Sequence, residues 1–340
     1  NGGIHSLKDQ VGDYNILYQT IVALFTYIGD KSIYYYKILS IFFDFCMAIS
    51  AAIFACELSK KEKNDKVFFV TFAAVIMLPT VILNSAYWGQ CDSIYTTFII
   101  LTLLYLYREK YHRAFMFLGI AFAFKMQTIF IFPFIICFYI YKKQFSIFEL
   151  LITVFTFWIS GIGAFVQGRS LLDPFRIYAN QTGTYQYMHV NFPSFWMFVG
   201  NDYEWLKTAA IVMAAGICGM GLYIIMKRKL DCSRPENFVS IASWFIWTCV
   251  LFLPAMHERY AYPLEILLVI LTCINKDYLK YSSVAILFSL FTYGNYLFSN
   301  GGLDKYIVII YAGCYLHFTY TILKKNSKAA TVTDKEMQNE

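Results

Sequence analysis

Charge is what this sequence has least of. Only 15% of its 340 residues are Asp, Glu, Lys or Arg, against about 25% in an ordinary soluble domain. With 59% hydrophobic residues beside so few charges, the chain is not a soluble globular domain. It has five histidines and nine cysteines, but no CxxC and no metal-ligand spacing, so neither a metal centre nor a disulfide framework is expected. The cysteines sit mostly inside apolar blocks, and only Cys91 is expected on the outer side. Alternating segments of about ten residues are missing, which argues against a β-barrel. A leading Met, a signal peptide and a first span are missing too. "NGGIHSLKDQVGDYN" reads as the middle of a loop, so an N-terminal piece is expected before Asn1.

Long apolar blocks fill the chain instead. Phe68–Ala86 and Phe238–Ala255 carry no Lys, Arg, Asp or Glu, and about 20 such residues cross a bilayer as a helix. The expected class is an all-α polytopic membrane protein. The net charge of +6 is no nucleic-acid signal. Most Lys and Arg residues fall in short runs: Lys60–Lys66, Arg108–Arg113, Lys142–Lys143, Lys227–Arg234, Lys276–Lys280 and Lys324–Lys328. Basic loops stay in the cytoplasm. This places about nine full spans, near 34–57, 67–87, 93–107, 147–166, 204–226, 237–255, 262–275, 282–298 and 306–323.

Two segments do not fit a plain span. Ala114–Tyr141 is apolar but has basic runs on both sides, and Lys125, Met126 and Gln127 interrupt it. It reads as a hairpin of short helices, 114–124 and 127–141, turning back at Lys125–Gln127; such breaks are tolerated where they line a polar cavity. Tyr14–Gly29 is short and reads as a helix lying at the outer surface. One transmembrane domain then covers 1–340. It comprises an external stretch 1–33, a module 34–166, a long external loop 167–203, C-terminal helices 204–323 and a cytoplasmic tail 324–340. The outer face also collects 84–93, Lys125–Gln127, 256–262 and 299–305.

Polar side chains gather on that face. Trp88, Gln90 and Asp92, with Asn84, lie in "LNSAYWGQCDSIY"; Lys125 and Gln127 mark the hairpin tip; "MHERYAYP" supplies His257, Glu258, Arg259 and Tyr260. The long loop adds Arg169, Asp173, Arg176, His189 and Asn191. Ionisable residues at membrane depth are costly and point to function. Plainer roles stand beside these: Asp92 as the cap of a helix starting near Ser93, Lys125 snorkelling, Glu258 and Arg259 paired with each other or with Asp92, and Asp44 tying neighbouring helices. Trp88 and Trp196 also suit an interfacial belt, and "NQT" at Asn180 is a weak glycosylation match. Cations at that depth suit a lipid phosphate.

The segments "LPTVILNSAYWGQCDSIY", "AFAFKMQTIFIFPF" and "MHERYAYP", in this order and spacing, resemble the GT-C superfamily of membrane glycosyltransferases. The nearest group is similar to bacterial relatives of the second mannosyltransferase of GPI-anchor synthesis. The likeness runs from Asn1 to Pro263. It implies a GT-C-like helix bundle whose 34–166 region is the family's module. It also implies transfer of a hexose, mannose by the label of the resembled group, from a polyprenyl-phosphate monosaccharide to a glycan or lipid-linked acceptor, with inversion. No cofactor or divalent metal is implied. The expected place is a bacterial cell membrane, with the active site on the non-cytoplasmic side. By resemblance His257, Arg259 and Lys125 would hold the donor phosphate, while Gln90, Trp88, Gln127 and Glu258 would line the substrate pocket. The family's usual base, an Asp in the first external loop, falls upstream of Asn1. Asp13 matches the following DY-type motif, which leaves Asp92 as the fallback base, and a chain starting at Asn1 is expected to be inactive alone. A polysaccharide polymerase or ligase and a lipid or sugar transporter are the alternative classes; no internal repeat supports the last.

Overall fold

In the computed structural model of the protein, residues 2–29, 32–59, 65–298 and 305–337 are described. Residues 60–64 of the first basic run, 299–304 of the last external loop and 338–340 of the tail lie outside them. The elements run in chain order as α1 (Ile16–Phe25), α2 (Ser32–Leu58), α3 (Asp65–Ile76), α4 (Pro79–Ile82), α5 (Asp92–Tyr107), α6 (Tyr111–Phe124), α7 (Phe132–Lys142), α8 (Leu150–Ile159), α9 (Ile162–Phe165), α10 (Asp173–Gln181), β1 (His189–Val190), α11 (Tyr203–Lys227), α12 (Pro235–Phe252), β2 (Met256–His257), α13 (Tyr262–Ile274), α14 (Leu279–Phe298) and α15 (Lys305–Met337). The fold is helical, as the apolar blocks require, and among the described residues β1 and β2 form its one strand pair.

Among the described residues, three helices are long and apolar enough to cross a membrane: Ile33–Leu58, Tyr203–Lys227 and Lys305–Lys325. A fourth span exists if the bent pair Lys66–Ile76 and Pro79–Trp88 is one crossing. The other apolar segments are shorter or more polar than that standard. Several differ from the straight spans expected. The 67–87 segment bends by 48°, because Leu78 is extended before Pro79 and a residue preceding proline avoids the helical region. The 147–166 segment breaks at Ser160–Gly161 into α8 and α9. The hairpin's second arm starts as a tight 3-10 stretch, Met126–Ile131, before α7. The 324–340 tail is largely the continuation of α15 to Met337.

The chain packs as two compact units, Asn1–Ile129 with Lys143–Gln186, and Phe130–Lys142 with Tyr187–Glu340. In the first, α2, α5, α6 and α8 pack side by side. A core of Leu7, Ile16, Ala123, Phe157, Ile177 and Tyr178 ties α1, α6, α8 and α10 together. Arg108 pairs with Glu57, joining α5 to α2, and Thr153 Oγ1 donates to the Phe115 carbonyl at 2.9 Å, joining α8 to α6.

In the second unit α12 and α13 are buried along most of their length, as helices that are apolar all round should be. Trp244 Nε1 donates to Thr319 Oγ1 at 2.8 Å, and the hydroxyls of Thr248 and Tyr315 are bonded at 2.8 Å, fastening α12 to α15. Lys325 binds Glu236 at 3.3 Å and Asp277 at 3.1 Å. Trp196, expected in an interfacial belt, is instead buried, with Nε1 donating to the Phe252 carbonyl at 2.7 Å. Its indole needs both an apolar neighbourhood and one acceptor, and the end of α12 supplies both.

Candidate functional site

The first unit builds its polar centre around an irregular turn. After α4 the backbone widens into one π-helical turn, Leu83–Trp88, which ends at Gly89 with φ 82°. Only glycine takes that left-handed geometry without strain. The Gly89 and Gln90 amides close the turn on the Ser85 and Asn84 carbonyls at 3.0 and 2.9 Å. Widened turns of this kind recur at functional sites. Here the turn sends two adjacent buried side chains to two carboxylates. Asn84 Nδ2 donates to Asp92 Oδ2 at 2.8 Å, and Ser85 Oγ donates to Asp44 Oδ1 at 2.7 Å.

Asp92 is fully buried in the first turn of α5, where the helix dipole favours a carboxylate. The N-cap residue of α5 is Cys91, one position before it. The carboxylate's other oxygen takes an ion pair from Lys125. Lys125 leaves the end of α6 in extended conformation, φ −154°, ψ 133°. It is buried rather than snorkelling, and its ammonium lies 5.4 Å from the centre of the Tyr95 ring. The expected helix break thus coincides with a buried Lys–Asp pair, and Asn84, Asp92 and Lys125 come together as one cluster.

The flanks of this cluster include residues that the sequence did not single out. Gln90 accepts from the Tyr14 hydroxyl at 3.2 Å. Tyr14 packs on Tyr18 at 4.5 Å between ring centres, and Tyr18 stacks with Tyr36 at 6.5 Å. Burial, followed by Cys91, Tyr36 and Asp92, pushes the Tyr18 hydroxyl well above the ordinary tyrosine range, so it stays neutral. Lys37 runs past Gly89, its Cγ 3.5 Å from where a Cβ would stand. Trp88 is half-buried at the end of the π turn. Cys91, expected on the outer side, is fully buried. Gln127 is buried, and its Oε1 has no hydrogen-bond partner among the described residues.

Arg169, Asp173 and Arg176 form a separate network in the same unit. Arg169 binds Asp173 at 2.9 Å and donates to Gln10 Oε1 at 2.9 Å, and Arg176 lies 3.5 Å from Asp173. These bonds fasten α10 to the segment before α1.

The second unit holds the His257–Arg259 segment. Beyond α12 the chain extends through Leu253, and Ala255 takes φ 57°, a costly value for a residue with a side chain. Its amide donates to the Tyr187 and Met188 carbonyls, each at 3.1 Å, as Met256–His257 pairs in parallel with His189–Val190. The Tyr260 and Tyr262 amides then turn the chain into α13 by bonding the His257 and Arg259 carbonyls at 3.1 Å each.

Glu258 is the hub of that turn. It is fully buried, accepts from Arg259 Nη1 at 2.5 Å and lies 3.8 Å from His257 Nδ1. Thr292 Oγ1 holds its carbonyl at 3.1 Å. Burial acts to raise its pKa, but the neighbouring His257 ring and the Arg259 charge outweigh that and hold it below the ordinary 4.5. Glu258 therefore stays a carboxylate and fixes two potential cations. The Arg259 side chain remains 16% exposed, and Tyr260 packs beside His257 at 5.0 Å. Of the remaining loop residues, His189 has its pKa lowered by burial and Asn191 adopts a positive φ of 54°.

No protein-family model matches the chain, and no curated protein matches it. Among the described residues, no group of three or more His, Cys, Asp and Glu side chains could hold a metal ion.

Proposed function

We propose that the protein is a membrane glycosyltransferase that moves a hexose from a polyprenyl-phosphate sugar to an acceptor hydroxyl on the outer face. In this reading the acceptor oxygen forms a bond to the anomeric carbon while the bond from that carbon to the phosphate oxygen breaks. The acceptor proton passes to a carboxylate base, and polyprenyl phosphate leaves. Such a departure is favoured by cations already in place before charge develops.

The observation that carries the reading is the buried Glu258 holding His257 and Arg259 together at a strained turn. A carboxylate placed there fixes the cations in position for a phosphate and spares them reorganisation during the reaction. Arg259 and His257 then receive the donor phosphate. Gln90, Trp88 and Gln127 line the sugar or acceptor pocket. Asp92 has one oxygen on Asn84 and the other on Lys125, which suits orienting Lys125 better than taking up a proton.

Arg259→Lys in the full-length protein tests this. A lysine keeps the charge but cannot grip phosphate with two parallel donors. Transfer from a polyprenyl-phosphate hexose should fall by about 10²-fold or more, with membrane insertion unchanged. Transfer at the wild-type rate would remove Arg259 from the role. Counterflow of an unmodified lipid-linked sugar, without transfer, would replace the reading with transport.

A further inference from the structure

A partly open cavity of about 330 Å³ lies in the second unit among α11, α12 and α15. Ile224, Ile241, Trp244 and Tyr315 help form its walls. Gly221, also in the lining, packs closely on Trp244: a Cβ there would come within 2.3 Å of its ring. Apolar cavities do not hold water well. The apolar windows of α11 and α15 are only 22% and 28% buried, so both helices turn most of their surface outward, and in a membrane that surface meets lipid chains.

One end of the cavity is lined by Leu230 and Leu323. Lys227, Arg228 and Lys229 directly precede Leu230, Lys324 directly follows Leu323, and all four are exposed. Among the described residues, three acidic groups near this end have basic partners. Asp231 pairs with Arg234 at 3.5 Å, and Glu236 and Asp277 share Lys325. An apolar groove thus runs up to the basic run Lys227–Lys229, with Lys324 beside it.

We propose that this groove binds an anionic phospholipid, its acyl chain lying along Gly221 and Trp244 and its phosphate meeting Lys227, Arg228, Lys229 and Lys324. Basic sites at the ends of membrane helices hold such headgroups, each cation contributing on the order of a fivefold preference before screening. On the expected orientation the site faces the inner leaflet, where anionic lipids carry the surface charge. None of the residues assigned to sugar transfer takes part, so the site stands or falls independently of that reading.

The test uses the full chain in phosphatidylcholine vesicles containing acyl-brominated phosphatidylglycerol or acyl-brominated phosphatidylcholine. Bromine on a chain in the groove quenches Trp244, and Trp244→Phe identifies that component among the six tryptophans. The phosphatidylglycerol probe should quench it at about tenfold lower mole fraction. The surface variant Lys227→Gln/Arg228→Gln/Lys229→Gln should erase that difference while leaving the fold intact. A count of phosphatidylglycerol retained by the detergent-purified wild type and by this variant gives the same comparison without altering Trp244. Equal quenching by the two phospholipids would overturn the proposal. So would a preference that survives the charge variant, or quenching seen only with a brominated polyisoprenoid phosphate.

Discussion

At the residue scale, one buried ion pair and one buried carboxylate carry the argument, and each gives a distinct expectation. Asp92 and Lys125 are both buried and paired. Removing one partner of such a pair leaves the other charge stranded and costs about 3–5 kcal/mol, whereas removing both costs far less. Lys125→Met alone should therefore lower the thermal midpoint of the detergent-solubilised protein more than Lys125→Met with Asp92→Asn. If the double variant is as unstable as the sum of the singles, the pair is not coupled. Glu258 is tested by pH. Its folded pKa lies below 4.5, so its contribution is complete above the unfolded value and is lost as pH falls through the folded one. Stability of the wild type should drop on acidification below about 4.5 by more than that of Glu258→Gln. Identical slopes for the two proteins would show that the His257 and Arg259 contacts do not hold the carboxylate ionised.

At the scale of elements, the places where the chain breaks explain what could be read from the sequence. The break at Lys125 was legible because a charge and an amide interrupt an apolar run, and the structure ends α6 one residue before Lys125. The bend at Leu78 had an equally local cause in Pro79, but the surrounding apolar stretch had the length of a span and masked it. The helix α10 lies in a segment expected to be a loop; its start, Asp173 followed by Pro174, is an ordinary helix opening. The β1–β2 pairing could not be foreseen, since two residues on each side carry no periodicity and their pairing depends on tertiary packing. The cluster at Asp92 was legible in its residue types but not in its wiring. Nothing in the spacing says that Asn84 turns to Asp92 while Ser85 turns to Asp44, because the π turn that separates them is a backbone detail. Tyr18 and Tyr36 were missed because tyrosines are common here, 28 in all, and none stands out by position.

At the scale of the whole molecule, the question is which side of the membrane each loop faces. α6 has 14 residues and α7 has 11. At a rise of about 1.5 Å per residue in an α-helix and about 2.0 Å in a 3-10 stretch, α6 is about 21 Å long and the arm Met126–Lys142, which includes α7, about 28 Å, both short of a hydrocarbon core of about 30 Å. Two paths remain: a hairpin that returns to its starting face, or one broken crossing. The basic residues decide between them, since Lys110 before α6 and Lys143 after α7 should both stay in the cytoplasm. Single cysteines at positions 110 and 143, in a background without the native cysteines, should both resist a membrane-impermeant maleimide in intact cells and react once the cells are opened. Labelling of position 143 alone from outside would make the segment a crossing. Every later loop would then change sides, and Arg259 would face the cytoplasm, where a donor presented on the outer face cannot reach it.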